Sequence, residues 1–298
     1  MRDYVVTKKK ILIVGCGDVG LRIAKRLNDH QIDTEILAFV SSNASCQKLA
    51  KHEINAVAIN LDHVQATMDL SAQCIDIYYL VPPQLSGEED QRSQVFLHAL
   101  KQSLTNINFV RIVLISTTGV YGDHDGEWVD ESTPAEPQTD RAKRRLSLEQ
   151  QWRRFADESN AVMSILRVPG IYSHSRLPRE RLEKQTPIVN PNECGFTNRI
   201  HADDLAMICT EVMRQQTQTD VYNVSDGTPG KISEYLLEAA NVLNIATPPL
   251  ITMAEADTAV SAGMLSYLRE SRKISNQKLL ETFDIELQYP NFRQGMLS

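Results

Sequence analysis

One hexapeptide restricts the fold of this chain more than any other segment: Gly15-Cys16-Gly17-Asp18-Val19-Gly20. A short apolar run, Ile11–Val14, precedes it and reads as a buried strand. The period changes just after it. Val19, Ile23 and Leu27 lie four apart with Arg22, Lys25 and Arg26 between them, the pattern of an amphipathic helix. Further strands are expected at Ile36–Val40, Val57–Ile59, Ile75–Val81 (stopping at Pro82-Pro83) and Phe109–Ile115. Helices are expected through Leu49 and over Gln91–Leu104. Strands that alternate with helices in this way form a parallel sheet wound on both faces. Ile112-Val113-Leu114-Ile115 is unbroken and apolar, as a strand covered on both faces should be. A charged helix from Thr139 to Glu158, a strand at Val162–Leu166, a strand at Val221–Val224 and a helix over Ile232–Leu243 come next.

The spacing of the hexapeptide is GxGxxG, and each glycine has a separate duty in that setting. Gly15 allows the tight turn, Gly17 lets the backbone approach a pyrophosphate, and Gly20 lets the helix pack closely on the strand. The free N–H groups at the helix start, with Asp18 and Val19, face the phosphates. The fold class expected is therefore α/β, a Rossmann-type doubly wound parallel sheet with a smaller C-terminal substrate lobe. Residues 1–165 would form the dinucleotide-binding domain. Residues 166–298 would add the remaining core strands and the substrate lobe, interleaved with the first part. An acid at the end of the second strand would take a ribose 2′-OH and signal NAD. Ser41 and Ser42 stand there instead, so the expectation leans to NADP, with NAD as the alternative. Asp62, after the third strand, is placed near the adenine, and Val81 and Pro82 at the end of the fourth strand complete the cofactor set.

Composition narrows the class of partner. With 31 Lys+Arg against 38 Asp+Glu, the net charge is −7. That argues against whole-surface binding to nucleic acid or anionic lipid. The five cysteines, Cys16, Cys46, Cys74, Cys194 and Cys209, form no CxxC pair and have no zinc spacing, so reduced thiols, no metal and a cytoplasmic setting are expected. Lys8, Lys9 and Lys10 before Ile11–Val14 imitate the start of a leader, but the apolar run is too short for one. No run of about 20 apolar residues would span a membrane.

Five further segments, in order, carry a resemblance. They are Ser116-Thr117-Thr118-Gly119-Val120-Tyr121-Gly122, Asp130-Glu131-Ser132 with Pro134 and Pro137, Leu166-Arg167-Val168-Pro169-Gly170-Ile171-Tyr172, Arg199-Ile200-His201-Ala202-Asp203-Asp204-Leu205-Ala206, and Tyr222-Asn223-Val224. With the glycine loop they make the chain resemble the short-chain dehydrogenase/reductase superfamily, on the side of its extended sugar-nucleotide epimerases and dehydratases. The glycine loop departs from that group's GxxGxxG, which marks an atypical member. The resemblance implies that Pro169, Gly170 and Ile171 pass under the nicotinamide and that Thr117 supplies the catalytic hydroxyl. It also implies that the Arg199–Ala206 motif organises the junction between cofactor and substrate parts rather than a metal site.

The family's YxxxK pair is not retained. Anchoring on Leu146, Glu149 and Gln150 puts Arg141 at the Tyr position and Arg145 at the Lys position; a shifted register puts Thr139 and Lys143 there. An arginine does not shuttle protons, because its pKa exceeds about 12. Arg145 can still hold a ribose or supply a positive field. Tyr121, Tyr78 or Tyr79, and His124 are candidates for the missing acid/base, each with a packing or loop role as its alternative. The run Arg141, Lys143, Arg144, Arg145 reads either as a solvated face or, for Arg141 and Arg145 at helical spacing, as a guanidinium pair for an anionic ligand. Trp128 is expected to anchor its loop, with a lid over ligand as the alternative. Arg272 reads as a surface ion-pair residue or as a contact to a substrate phosphate.

The expected function is that of an NAD(P)-dependent oxidoreductase or epimerase-like enzyme acting on a small anionic or nucleotide-linked carbohydrate. The alternative is a non-catalytic NAD(P)-binding sensor or scaffold of the same fold. The expected partner is a small-molecule substrate, without nucleic acid or membrane, and a homodimer is left open.

Overall fold

The computed structural model describes residues 9–29, 34–64, 68, 70, 72–104 and 107–298. Lys8 of the basic run lies outside them. The β-branched and apolar runs form a seven-stranded sheet. Its strands are β1 (Lys9–Val14), β2 (Glu35–Val40), β3 (Asn55–Ala58), β4 (Cys74–Tyr79), β5 (Phe109–Thr117), β6 (Val162–Val168) and β7 (Asp220–Asn223). Their order is β7-β6-β5-β4-β1-β2-β3. The pairings β1–β2, β2–β3, β1–β4 and β4–β5 are parallel, with Val14 beside both Phe39 and Tyr79. The order reverses between β1 and β4, the switch point at which α/β sheets open a crevice beyond their carboxyl ends. Central strands are buried on both faces: Leu12, Ile13, Ile77, Val113 and Leu114 have no exposure.

The first four helices in chain order are α1 (Asp18–Asp29), α2 (Asn43–Ala50), α3 (Gln91–Ser103) and α4 (Asp140–Ser159). Ile23, Ala24 and Leu27 bury the inner face of α1, as its period of four requires. Helix α4 starts where Thr139 accepts the Ala142 N–H, and it ends at Asn160 in a left-handed conformation. It packs Trp152 against Tyr79 and Phe96, with ring centroids 4.6 and 6.1 Å apart.

The chain divides into two units. Residues 1–117, 139–167 and 205–221 form the first; residues 118–138, 168–204 and 222–298 form the second. The first contains the sheet from β1 to β6 and the start of β7. The second is built from short two-stranded pairings, such as Gly170–Tyr172 with Arg199–His201 and Trp128–Val129 with Lys273–Ile274. Its core groups Tyr172, Leu182, Ile188, Tyr235 and Phe292. Among the described residues, no helix is long and apolar enough to cross a membrane.

Candidate functional site

In the first unit, the ends of β1, β2 and β4 and the residues after β3 enclose a cavity of about 500 Å³. Its floor is the glycine turn. The Gly15 N–H donates to the Phe39 carbonyl at 2.9 Å, and the Leu80 N–H donates to the Val14 carbonyl at 2.9 Å. The turn is thereby tied to both neighbouring strands. Gly15 has a φ of +84°, and a Cβ there would stand 2.7 Å from Val81 Cγ2. A Cβ on Gly20 would stand 3.2 Å from Cys16 Sγ, Ile13 Cγ2 and Leu80 Cδ1. One on Gly17 would meet nothing within 4 Å. The fold therefore excludes a side chain at Gly15 and crowds one at Gly20, while Gly17 faces open space inside the cavity. Asp18 and Val19 open α1, with Asp18 accepting from Arg22 at 3.1 Å.

The cavity wall places Ser41 and Ser45 at the β2 side, Asn60 and Asp62 beyond β3, and Val81 and Pro82 beyond β4. Ser42 does not line it. Its hydroxyl accepts the Ser45 N–H and caps α2. Arg92 of α3 also lines the cavity and grips Asp62 with two bonds, 2.7 Å to Oδ1 and 3.0 Å to Oδ2, while donating to the Pro82 carbonyl at 2.8 Å. That hydrogen-bonded guanidinium holds the Asp62 carboxyl below its ordinary value. The Cys16 thiol lines the same space, but burial pushes its pKa up to about 12, so it packs as an unreactive apolar group.

Thr117 ends β5 half-buried. Arg145, one turn into α4, donates to the Ile115 carbonyl at 3.2 Å and the Val81 carbonyl at 3.5 Å, at the carboxyl ends of β5 and β4. Burial pushes its pKa down to about 10, which leaves it charged at neutral pH. Arg141 lies exposed. The rest of the basic run has partners of its own. Lys143 pairs with Glu88 at 2.8 Å, and Arg144 donates to the Gly87 carbonyl, so both tie α4 to the loop before α3. Behind them Glu149 is buried. It accepts from Ser116 Oγ at 2.6 Å and from Arg167 at 3.1 and 2.8 Å. Tyr78 and Tyr79 are both core residues, and neither lines the cavity.

The second unit contains the other expected residues. Tyr121 is buried and its phenol donates to Asn223 Oδ1 at 2.8 Å; the Asn223 N–H in turn donates to Glu131 Oε1 at 2.6 Å. Nε2 of His124 lies 3.1 Å from the Tyr121 carbonyl oxygen. Pro169 precedes the strand that holds Gly170 and Ile171. In the Arg199–Ala206 motif, Asp204 accepts the N–H groups of Gln288 and Tyr289, both at 2.9 Å, and His201 packs its ring 4.0 Å from that of Tyr289. The motif thus anchors the C-terminal stretch. Trp128 is 57% exposed, so it does not anchor its loop by burial. Arg272 is buried rather than at the surface, donating to the Gly122 carbonyl and pairing with Glu270 at 2.8 Å.

Asp226, just after β7, is a buried carboxyl that sequence patterning did not single out. Its Oδ1 accepts the Thr228 N–H at 3.0 Å. Burial pushes its pKa up to about 7, against the pull of the Thr228 N–H and Arg199 and with a further push from Asp204. Unfolded, it titrates near 4. The folded state therefore binds the extra proton, and the stability this contributes is complete below about pH 4 and lost as the pH rises to about 7. Denaturant midpoints of the parent should fall over that range relative to those of Asp226→Asn. A constant difference between the two proteins from pH 4 to 8 would contradict this assignment.

Comparison with known proteins agrees with this geometry. The model of the NAD dependent epimerase/dehydratase family matches residues 11–225. The curated protein YeeZ of Escherichia coli strain K12 is 22% identical over 291 residues, covering 95% of this chain and 97% of its own. A conserved protein of unknown function from Silicibacter pomeroyi superposes with a TM-score of 0.81 at 24% identity, over 97% of both chains. The dTDP-glucose 4,6-dehydratase of Bacillus anthracis, solved with NAD, superposes with a TM-score of 0.74 at 15% identity, over 97% of this chain and 94% of that one.

Proposed function

The chain belongs to the NAD dependent epimerase/dehydratase family, and from that premise we propose that it binds a nicotinamide dinucleotide at the glycine turn and acts on a small anionic or nucleotide-linked carbohydrate. The observation that carries the reading is the contrast among the glycines. Gly15 has no room for a side chain and Gly20 only a tight fit, whereas Gly17 has room it does not use, in a cavity at the sheet's switch point. The residues fit the group: main-chain N–H groups at the start of α1 for the pyrophosphate, Ser41 near the ribose while Ser42 stays at the cap of α2, Asp62 towards the adenine, and Val81 and Pro82 along the wall. When bound, a nicotinamide accepts and returns a hydride. Thr117 would orient the substrate oxygen. Arg145, charged throughout the neutral range, would hold the ribose and supply a positive field rather than move the proton. Tyr121, Arg141 and the Pro169–Ile171 segment remain assigned to the substrate and nicotinamide end by family resemblance.

Within this reading NADP is assigned over NAD. The end of β2 carries no carboxylate to oppose a 2′-phosphate, and Ser41 and Ser45 offer hydroxyls in the cavity. Ser41→Asp should weaken NADPH binding at least about tenfold while sparing NADH, since one unscreened like-charge contact costs on the order of 1–4 kcal/mol. Fluorescence titration with both cofactors measures this, and equal affinities before and after the change would remove the NADP assignment.

A second reading, dinucleotide binding without turnover, is supported by a single fact: neither register of the YxxxK pair supplies a tyrosine. Cofactor titration beside turnover on a panel of sugar nucleotides separates the two readings. Binding with no hydride transfer favours the sensor or scaffold, and failure to bind either dinucleotide excludes both.

A further inference from the structure

Among the described residues, Asp62 and Arg92 are the charged side chains that line the cavity, and they bond each other. The contact is a fork. Nε and Nη2 of Arg92 donate to different oxygens of the carboxylate, at 2.7 and 3.0 Å, which fixes its plane as well as its position. Both partners are also held from behind. Nη1 of Arg92 donates to the Pro82 carbonyl at 2.8 Å, and the Asp62 N–H donates to Asn60 Oδ1 at 3.0 Å. The Ile59 N–H donates to the Val40 carbonyl at 2.8 Å, so the segment that carries Asp62 is tied to the end of β2. The place of the arginine is itself unfavourable for a cation. Arg92 is the second residue of α3, where the positive end of the helix dipole opposes it. Its bonds to the residues after β3 and β4 offset that cost.

We propose that Arg92 is a positioning residue that fixes Asp62 as the hydrogen-bond acceptor for the amino group of the cofactor's adenine, so that the site takes an amino purine and rejects one with a carbonyl in that place. The inference rests on the dinucleotide reading above. An ionised carboxylate only accepts hydrogen bonds, and each oxygen keeps a second lone pair when the first is turned to Arg92. The fork decides where those second lone pairs point. A purine amine donates to such an oxygen, whereas a purine carbonyl leaves both groups unpaired. The guanidinium also holds the Asp62 carboxyl below its ordinary value, which keeps it an acceptor through the neutral range. Asp62 alone would do this poorly. Its side chain is 45% exposed, so without the fork it is free to turn towards water. Its charge would then also stand unopposed before a ligand that carries phosphates.

The test is titration with NADPH or NADH, whichever the parent binds the tighter, and with the same dinucleotide carrying hypoxanthine in place of adenine. The parent should prefer the adenine form at least about tenfold, the factor expected when one charged acceptor is left unpaired. Arg92→Gln should bring that preference to within about threefold. Arg92→Lys keeps the charge without the fork, so it should bind the adenine form more tightly than Arg92→Gln does while its preference also falls below that of the parent. Asp62→Asn, whose amide can turn an N–H towards a carbonyl, should abolish or reverse the preference. A wall that was merely loosened would weaken both dinucleotides by one factor and leave their ratio alone. The parental ratio in Arg92→Gln therefore overturns the proposal at any absolute affinity, and so does a parent that binds the two forms equally. Should Arg92→Gln fail to fold, the same ratio in Arg92→Lys decides. A parent that binds none of the dinucleotides overturns the dinucleotide reading itself and the inference with it, so the parent titration tells the two failures apart.

Discussion

A Gly17→Asp protein is expected to keep its thermal midpoint within about 2 °C of the parent and to lose dinucleotide binding by at least about 100-fold. Both halves rest on one position. Gly17 precedes Asp18, the first residue of α1, and its carbonyl already accepts the Leu21 N–H at 2.9 Å. It is therefore the N-cap, where aspartate is among the preferred residues. A Cβ there meets nothing within 4 Å, so the fold has no objection to the side chain. On the dinucleotide reading the cavity does object, because the new carboxylate would sit where two phosphates would approach the helix start. Gly15 offers the opposite case: with its positive φ and a 2.7 Å clash against Val81, a side chain there damages the fold itself. Circular dichroism melting and cofactor titration on the same Gly17→Asp sample suffice, and undiminished affinity would mean that the phosphates bind elsewhere.

The largest loss of stability is expected from Glu149→Ala. The side chains of Glu149 and Arg167 are 2% and 8% exposed, and the pair is bidentate. Removing Glu149 takes both of these charge-assisted bonds from a buried guanidinium, and Ser116 loses its acceptor as well. Such a cut costs roughly 3–5 kcal/mol, or about 10 °C of thermal midpoint in a chain of this size. Glu149→Leu combined with Arg167→Met should recover most of that loss, since a buried pair adds little over well-packed apolar groups. Calorimetry of the single and double variants measures the difference. A single variant that melts with the parent would show that the pair carries no stability.

Much of the sheet could be read from the chain because its signals are local. A four-residue period marks α1, an unbroken apolar run marks β5, and the glycine spacing marks the turn between β1 and α1. The resemblance on five ordered segments is likewise a matter of adjacent residues. What escaped are partnerships between segments far apart. Nothing near Arg92 says that it clasps Asp62, 30 residues earlier, across the cavity. Helical spacing puts Arg141 and Arg145 on one face, yet only Arg145 reaches the strand ends, because helix position alone does not say how far a neighbouring loop extends. Lys143 and Arg144, expected on a solvated face, each bind the Gly87–Glu88 loop instead. The burial of Asp226 carries no local mark at all, since burial of a carboxylate is a property of what packs over it.

The chain passes five times between the two units, after residues 117, 138, 167, 204 and 221. No single cut can therefore separate one complete unit from the other, and a fragment ending near residue 165 lacks the strand that begins at Asp220. Synthesis has the same constraint. The sheet cannot be finished until about three quarters of the polypeptide has been made. Nor can relatives trade one half for another through one crossover in their genes. Each unit must change in the company of the other, residue by residue, with the threading left intact.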